Sequence, residues 1–211
     1  MKRLVVIILL TLAAICVISS CKPKPSKRVD GQLVGSTYTY SKFGWEIAVP
    51  EGWEQIPDET LMLLKSEKQQ RAVDKTLYAA SDLDNEVMLL CLQKGDSSFF
   101  FSRYTPFNQP DGNGWESYFS RQKERQISAF ESEYELVDSS KTVKDRVGGV
   151  NFLFYTLRIV QSTEKELFTT AYCGFINGYI FQVDIISSSK EDENTLRNMW
   201  NECLFNHLVI Y

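Results

Sequence analysis

The chain has 211 residues, with 27 acidic against 23 basic side chains and a formal net charge of −4. An acidic balance excludes a dedicated nucleic-acid binder, which needs clustered positive charge to hold phosphate. A chain of this length buries roughly 70% of its unfolded surface, so it does not depend on a disulfide scaffold.

The first residues carry an address. Met1-Lys2-Arg3 is a basic start, Leu4 to Ile18 is apolar, and Ser19-Ser20-Cys21 closes the run. A basic start, about 7–15 apolar residues and small residues at the cut make a secretory signal. A spanning helix needs about 20 apolar residues, and Ser19 to Lys22 end this run earlier. Ile18-Ser19-Ser20-Cys21 resembles the lipobox of bacterial lipoproteins. The resemblance implies that residues 1–20 are removed and that Cys21 carries diacylglycerol and an N-acyl chain such as palmitate. It also implies a lipid anchor in the cell envelope, on the periplasmic side, with the outer membrane favoured over the inner. An ordinary cleaved signal and an uncleaved anchor are the alternatives. Removing Lys2 and Arg3 from a net charge of −4 leaves −6. Setting aside Lys22, Lys24, Lys27, Arg28 and Asp30 as well leaves −9 from Gly31 onward.

Residues 21–36, with Pro23, Pro25, Gly31 and Gly35, read as a flexible tether. Residues 37–211 then form one domain. Tyr38 to Val49 alternates as a hairpin around Ser41-Lys42, and Pro50-Glu51-Gly52 stops it. Asp58 can cap a helix running towards Ala80, broken near Lys68-Gln69-Gln70-Arg71. Val87 to Leu92 and Phe99-Phe100-Phe101 read as strands buried on both faces, joined by Lys94-Gly95-Asp96. Thr105 to Gly114 is the longest irregular stretch. Trp115 to Phe130 is a helix, with Trp115, Phe119, Gln122, Gln126 and Phe130 on one stripe joined by Tyr118 and Ile127.

Gly148-Gly149 turns between strands at 142–147 and 150–161, the second apolar on both faces and therefore central. Asn177-Gly178 predicts a two-residue type I′ hairpin. It pairs Ile176 with Tyr179, Gly174 with Phe181 and Tyr172 with Val183, and Gly174 leaves room for the Phe181 ring. Ser188-Ser189-Lys190-Glu191 matches a capping box, and Leu196, Met199, Trp200, Cys203 and Leu204 follow at helical spacing. The tail from Phe205 to Tyr211 is apolar enough to dock.

Phe43-Gly44-Trp45-Glu46-Ile47-Ala48-Val49-Pro50-Glu51-Gly52-Trp53 resembles the opening of PsbP-like domains. Tyr172, Asn177-Gly178-Tyr179-Ile180-Phe181 and the helix ending at Phe205 resemble their close. The resemblance spans residues 37–205. It implies an α+β fold, an antiparallel β-sheet flanked by helices on both faces in an α/β/α sandwich. The order of elements read from the residues agrees. Members imply different jobs: an extrinsic subunit supporting photosystem II in plants, envelope lipoproteins of the DcrB type, and chaperone-like adaptors for secreted effectors. They share binding and accessory work without catalysis, so no catalytic residue, cofactor or metal ligand is carried over.

The chemistry-bearing residues are few. Cys91, Cys173 and Cys203 are either small buried hydrophobes or, for two of them, a disulfide. There is no Cys-x-x-Cys, and His207 is the sole histidine. Asp82-Leu83-Asp84-Asn85-Glu86 spaces carboxylates like the start of a calcium loop but lacks the Gly and distal Glu. A solvated acidic turn competes with a weak cation site there. Gln182 and Asp184 interrupt an apolar hairpin, and either line a pocket or lie near an edge and meet solvent or a nearby Lys or Arg. Phe107 and Trp115, around the long loop, either anchor a protein partner or pin the loop to the core. No Gly-x-Ser-x-Gly or His-Glu-x-x-His occurs.

These features favour a membrane-anchored, non-catalytic binding or accessory lipoprotein with a protein partner. A carrier of a small apolar ligand is the second reading, resting on 13% aromatic residues around a sheet. An envelope hydrolase is the third.

Overall fold

The computed structural model describes residues 31–57, 86–108, 114–162 and 165–206. The helix expected after Asp58, the carboxylates at 82–85, Cys21, His207 and the end of the tail lie outside them.

Two antiparallel sheets form the body. The smaller joins β1 (Gln32–Val34), β2 (Thr37–Tyr40), β3 (Trp45–Ala48) and β12 (Leu204–Phe205), in that order. The larger runs β4 (Glu54–Gln55), β5 (Val87–Lys94), β6 (Ser98–Pro106), β11 (Tyr179–Ser187), β10 (Lys165–Ile176), β9 (Val150–Ser162) and β7 (Leu136–Ser139). β8 (Val143–Val147) shares the outer edge of β9 with β7. Two α-helices are described, α1 (Trp115–Glu131) and α2 (Lys190–Asn201).

This corrects the expected fold class. The protein is not an α/β/α sandwich of one sheet flanked by helices; it is mainly β, with a second sheet lying on one face of the first. The hairpin at 38–49 does not extend the larger sheet, whose edges are taken by β4 and by β7 with β8. Its inner residues Tyr38, Trp45 and Ile47 pack face-on, together with α2, against Phe100, Phe152, Tyr172, Phe181 and Val183. β1 begins inside the stretch expected as tether, and Leu33 packs against this core.

Close backbone approach seats the small sheet. The 3₁₀ turn Ser41–Phe43 ends at Gly44, φ 58°. A Cβ at Gly44 would lie 1.5 Å from the Asn206 carbonyl oxygen, and Asn206 N–H donates to Gly44 O at 2.7 Å. Only glycine meets both demands.

The larger sheet follows its sequence signals closely. Asn177 and Gly178 have φ 49° and 84°, as a type I′ turn requires, and the expected register holds across the hairpin. Gly174 makes room for a different ring from the one expected. A Cβ there would lie 2.7 Å from Phe152, its partner across β9, rather than against Phe181. Between Met88 and Cys91 the β5–β6 ladder bulges. The Ser102 hydroxyl fills the gap, accepting from Leu90 N–H and donating to Leu90 O, each at 2.9 Å. The helix cap falls one residue later than expected, since Ser189 rather than Ser188 accepts from Asp192 N–H.

Gly174→Ala should lower stability by about 1–3 kcal/mol, the usual cost of overpacking a closed core. Urea unfolding would show a lower midpoint with an unchanged slope; an unchanged midpoint would contradict the Phe152 contact.

Candidate functional site

The larger sheet is buried on both faces, and the two faces differ in chemistry. One is covered by the small sheet and α2 and is almost wholly aromatic and aliphatic. The other lies under α1 and holds a polar cluster at its centre.

Alternation places that cluster. Ile180, Gln182, Asp184 and Ile186 point to one side of β11, and Phe99, Phe101 and Arg103 to the same side of β6. Arg103 pairs directly with Gln182, and Asp184 sits diagonally from it. Arg103 Nη2 stands 2.9 Å from Asp184 Oδ2, and Nε stands 3.2 Å from Glu86 Oε2. Nε also donates to Gln182 Oε1 at 3.3 Å. Gln182 Nε2 donates to Gln122 Oε1 of α1 at 2.6 Å, and Gln122 donates in turn to the Tyr118 hydroxyl. One turn further along α1, Gln126 accepts from the Tyr155 hydroxyl of β9. The guanidinium is 1% exposed and Asp184 4%, so this is an enclosed ion pair. Its Nη2 to Oδ2 approach is close in distance but misaligned, and neither atom has a hydrogen-bond partner among the described residues.

For Gln182 and Asp184 the edge and solvent expectation is corrected, and the expected nearby basic residue is present as Arg103. They sit on a central strand, away from solvent, and they hold an arginine. Burial pushes the Asp184 carboxyl above its ordinary value, the Arg103 charge opposes this, and Glu86 adds to it. Burial likewise raises the Tyr155 hydroxyl and, well above its usual range, the Cys173 thiol beneath them. Cys203, on the other face, is pushed up to about 12 by burial. All three cysteines of the domain are free and buried, so the hydrophobe reading holds and the disulfide does not. Thiols kept protonated are poor nucleophiles and poor metal ligands. No group of three metal-ligating side chains occurs among the described residues.

Phe107 and Trp115 are half-buried on the α1 face. Phe107 meets Tyr118 and Phe175 at ring-centroid distances of 6.5 and 6.1 Å, and its N–H donates to Gly178 O at 3.0 Å. The two rings do pin the loop ends to the core, and each keeps part of its surface open. Glu86, the one described member of the acidic run, is an ion-pair partner.

Arg103 escaped the sequence reading, although its signal was present. A charged residue two places after Phe101, in a strand buried on both faces, requires a buried partner. Gln122 and Gln126 on the apolar stripe of α1 mark where that partner surface lies.

A second polar place is an open groove of about 310 Å³ beside the start of α2. Asp138, Ser140, Thr156, Arg158, Lys190 and Glu193 line it. Its charges are paired: Arg158 with Asp138 at 3.3 Å and with Glu166, and Lys190 with Glu193.

Arg103→Met should cost about 3–5 kcal/mol, because it strands two carboxyls and the Gln182 carbonyl. Arg103→Met with Asp184→Leu should recover most of that loss by calorimetry; no recovery would contradict a pair held by mutual need. A carboxyl raised by folding binds its proton more tightly in the native state, so stability falls as pH rises from about 4. Asp184→Asn removes that slope, so the stability difference should move in favour of the variant as pH increases. A difference independent of pH would contradict the raised carboxyl.

No family model matches the chain, and no curated protein matches it. Among solved structures, it is similar to the solution structure of cyanobacterial PsbP (CyanoP) from Synechocystis sp. PCC 6803. The TM-score is 0.47 and the identity 11%, over 84% of this chain and 94% of the other. Identity at that level transfers no site residue from one chain to the other.

Proposed function

We propose that this chain is a membrane-anchored envelope lipoprotein whose folded domain is a non-catalytic binding or accessory module for a protein partner. The observation that carries the proposal is the placement of Ile18-Ser19-Ser20-Cys21 just ahead of the domain, which begins at Gln32. At most about 3.3–3.6 Å per residue, Cys21 and Gln32 stand no more than roughly 35–40 Å apart. Two or more acyl chains make such attachment effectively permanent. The domain would thus work within reach of the membrane surface, on the periplasmic side.

The chemistry of the interior supports binding over catalysis. Among the described residues, the Arg103 cluster is closed under α1, burial holds the Cys173 and Cys203 thiols protonated, and the charges of the open groove are neutralised in pairs. Phe107 and Trp115 support a protein partner: half-open aromatic rings at the ends of one loop are suited to anchor an interface. The mutual packing of Trp45, Phe152, Phe181, Trp200 and Phe205 supports the protein-partner reading over the carrier.

Cys21→Ser should abolish incorporation of labelled palmitate and shift the protein from the membrane to the soluble fraction. Retention in the membrane with no label would contradict the lipid anchor. For the partner, crosslinking in native membranes should recover one specific protein, and Phe107→Ala should reduce its yield.

A further inference from the structure

The end of the domain where the tether joins carries a cation fixed among tyrosine rings. Lys42 is exposed, yet its Nζ lies 3.8 Å from the centroid of Tyr179 and 4.4 Å from that of Tyr104. Tyr40 and Tyr104 join hydroxyl to hydroxyl at 3.0 Å. Val87, paired with Tyr104 across the β5–β6 ladder, is 40% exposed beside them. Tyr40 and Tyr179 are half-buried, with rings against the core. Gly31, the first described residue, sits on the same patch: a Cβ there would lie 3.8 Å from the Tyr40 ring and 3.0 Å from the Tyr38 hydroxyl.

We propose that this patch, Tyr40, Lys42, Val87 and Tyr179, is the surface that docks on the anionic phospholipid headgroups of the anchoring membrane. The inference rests on the lipid-anchor reading of Cys21. The length of chain outside the structure selects the occupant. The lipid-bearing residue is followed by only nine residues before Gly31, a reach of roughly 35 Å at full extension. Whatever face carries Gly31 is therefore held near the bilayer. The chemistry also fits. Tyrosine rings favour the headgroup level, where one end is apolar and the other wet. A lysine beside them supplies the charge that anionic headgroups attract.

The rest of the surface argues for the same orientation. From Gly31 onward the net charge is −9, by the subtraction given above, so an anionic membrane repels the domain as a whole. Approach is favoured through a face that carries a fixed cation. Glu86, next to Val87 in sequence, has its carboxylate 3.2 Å from Arg103 and turned inward. Ring contacts and the hydroxyls of Tyr104 and Tyr179 hold Lys42 charged, and its ionisation lies above the ordinary lysine value despite the opposing effect of burial.

The test uses the full acylated protein reconstituted in vesicles of phosphatidylethanolamine and phosphatidylglycerol, doped with a headgroup-photoactivatable phosphatidylglycerol. Mass spectrometry then maps the adducts. Adducts should concentrate on peptides containing Tyr40–Lys42 and Tyr179. They should fall about fivefold in Lys42→Gln, the scale of one basic residue near a charged surface. Lys144→Gln, at an exposed lysine elsewhere, should leave them unchanged. Exchanging phosphatidylglycerol for phosphatidylcholine, probe included, should also lower the yield. Acylated protein whose adducts spread evenly, or gather on α1 or β7, would overturn the docking surface alone. Protein without acyl chains on Cys21 would overturn the anchor and this inference with it.

Discussion

One aromatic knot holds the layers together. Trp45 of β3 lies at ring-centroid distances of 5.2 Å from Phe181 of β11 and 6.4 Å from both Trp200 of α2 and Phe205 of β12. Phe152 of β9 meets Trp200 at 5.1 Å, and Phe205 meets Phe181 at 5.5 Å. Small sheet, helix and large sheet thus share one set of rings. Each such pair is worth about 0.5–1.5 kcal/mol beyond the area it buries. The glycines serve this knot. Gly174 admits the Phe152 ring, and Gly44 and Gly148 let the chain around Phe205 come close.

The opposite face is built differently. There an arginine, an aspartate and three glutamines are enclosed, with Glu86 at their margin, where apolar side chains would pack at no electrostatic cost. Buried ion pairs are weak evidence of stability, since desolvation offsets much of their attraction. What this one supplies is definition. Arg103, Gln182 and Gln122 link β6, β11 and α1 through directional bonds, so α1 can seat in one register. Among the described residues, the aromatic knot packs one face of the larger sheet and this cluster packs the other.

The hairpins were legible because glycine and asparagine signals are local. Asn177-Gly178 determines its own turn, and the turn determines the register of nine following pairs. Helix α1 was equally legible from its stripe. The layer arrangement was not, because alternation reveals which residues face inward but not which partner they face. Tyr38, Trp45 and Ile47 alternate identically whether their hairpin extends a sheet or lies across it. β1 and β12 are too short to stand out from composition, and exist because β2 and β3 offer them edges. Of the candidate residues, Gln182 and Asp184 were visible as anomalies, while their purpose depended on Arg103, 79 positions before Gln182 in the chain. Lys42 read only as a turn residue, since its tyrosine neighbours come from β6 and β11.

Under the proposed function, the described residues form an acidic domain held close to a membrane that offers surface side chains to a partner. That picture requires the small sheet to be an integral layer, because it carries both the tether junction and Lys42. Native-state hydrogen exchange on the full chain tests this most directly. If the aromatic knot joins the layers, amides of β3 and α2 should exchange only through the same global opening as those of β11, with matching free energies and denaturant dependence. Exchange of β2 and β3 at a markedly lower free energy, with β11 still protected, would show the small sheet opening by itself and would contradict the account.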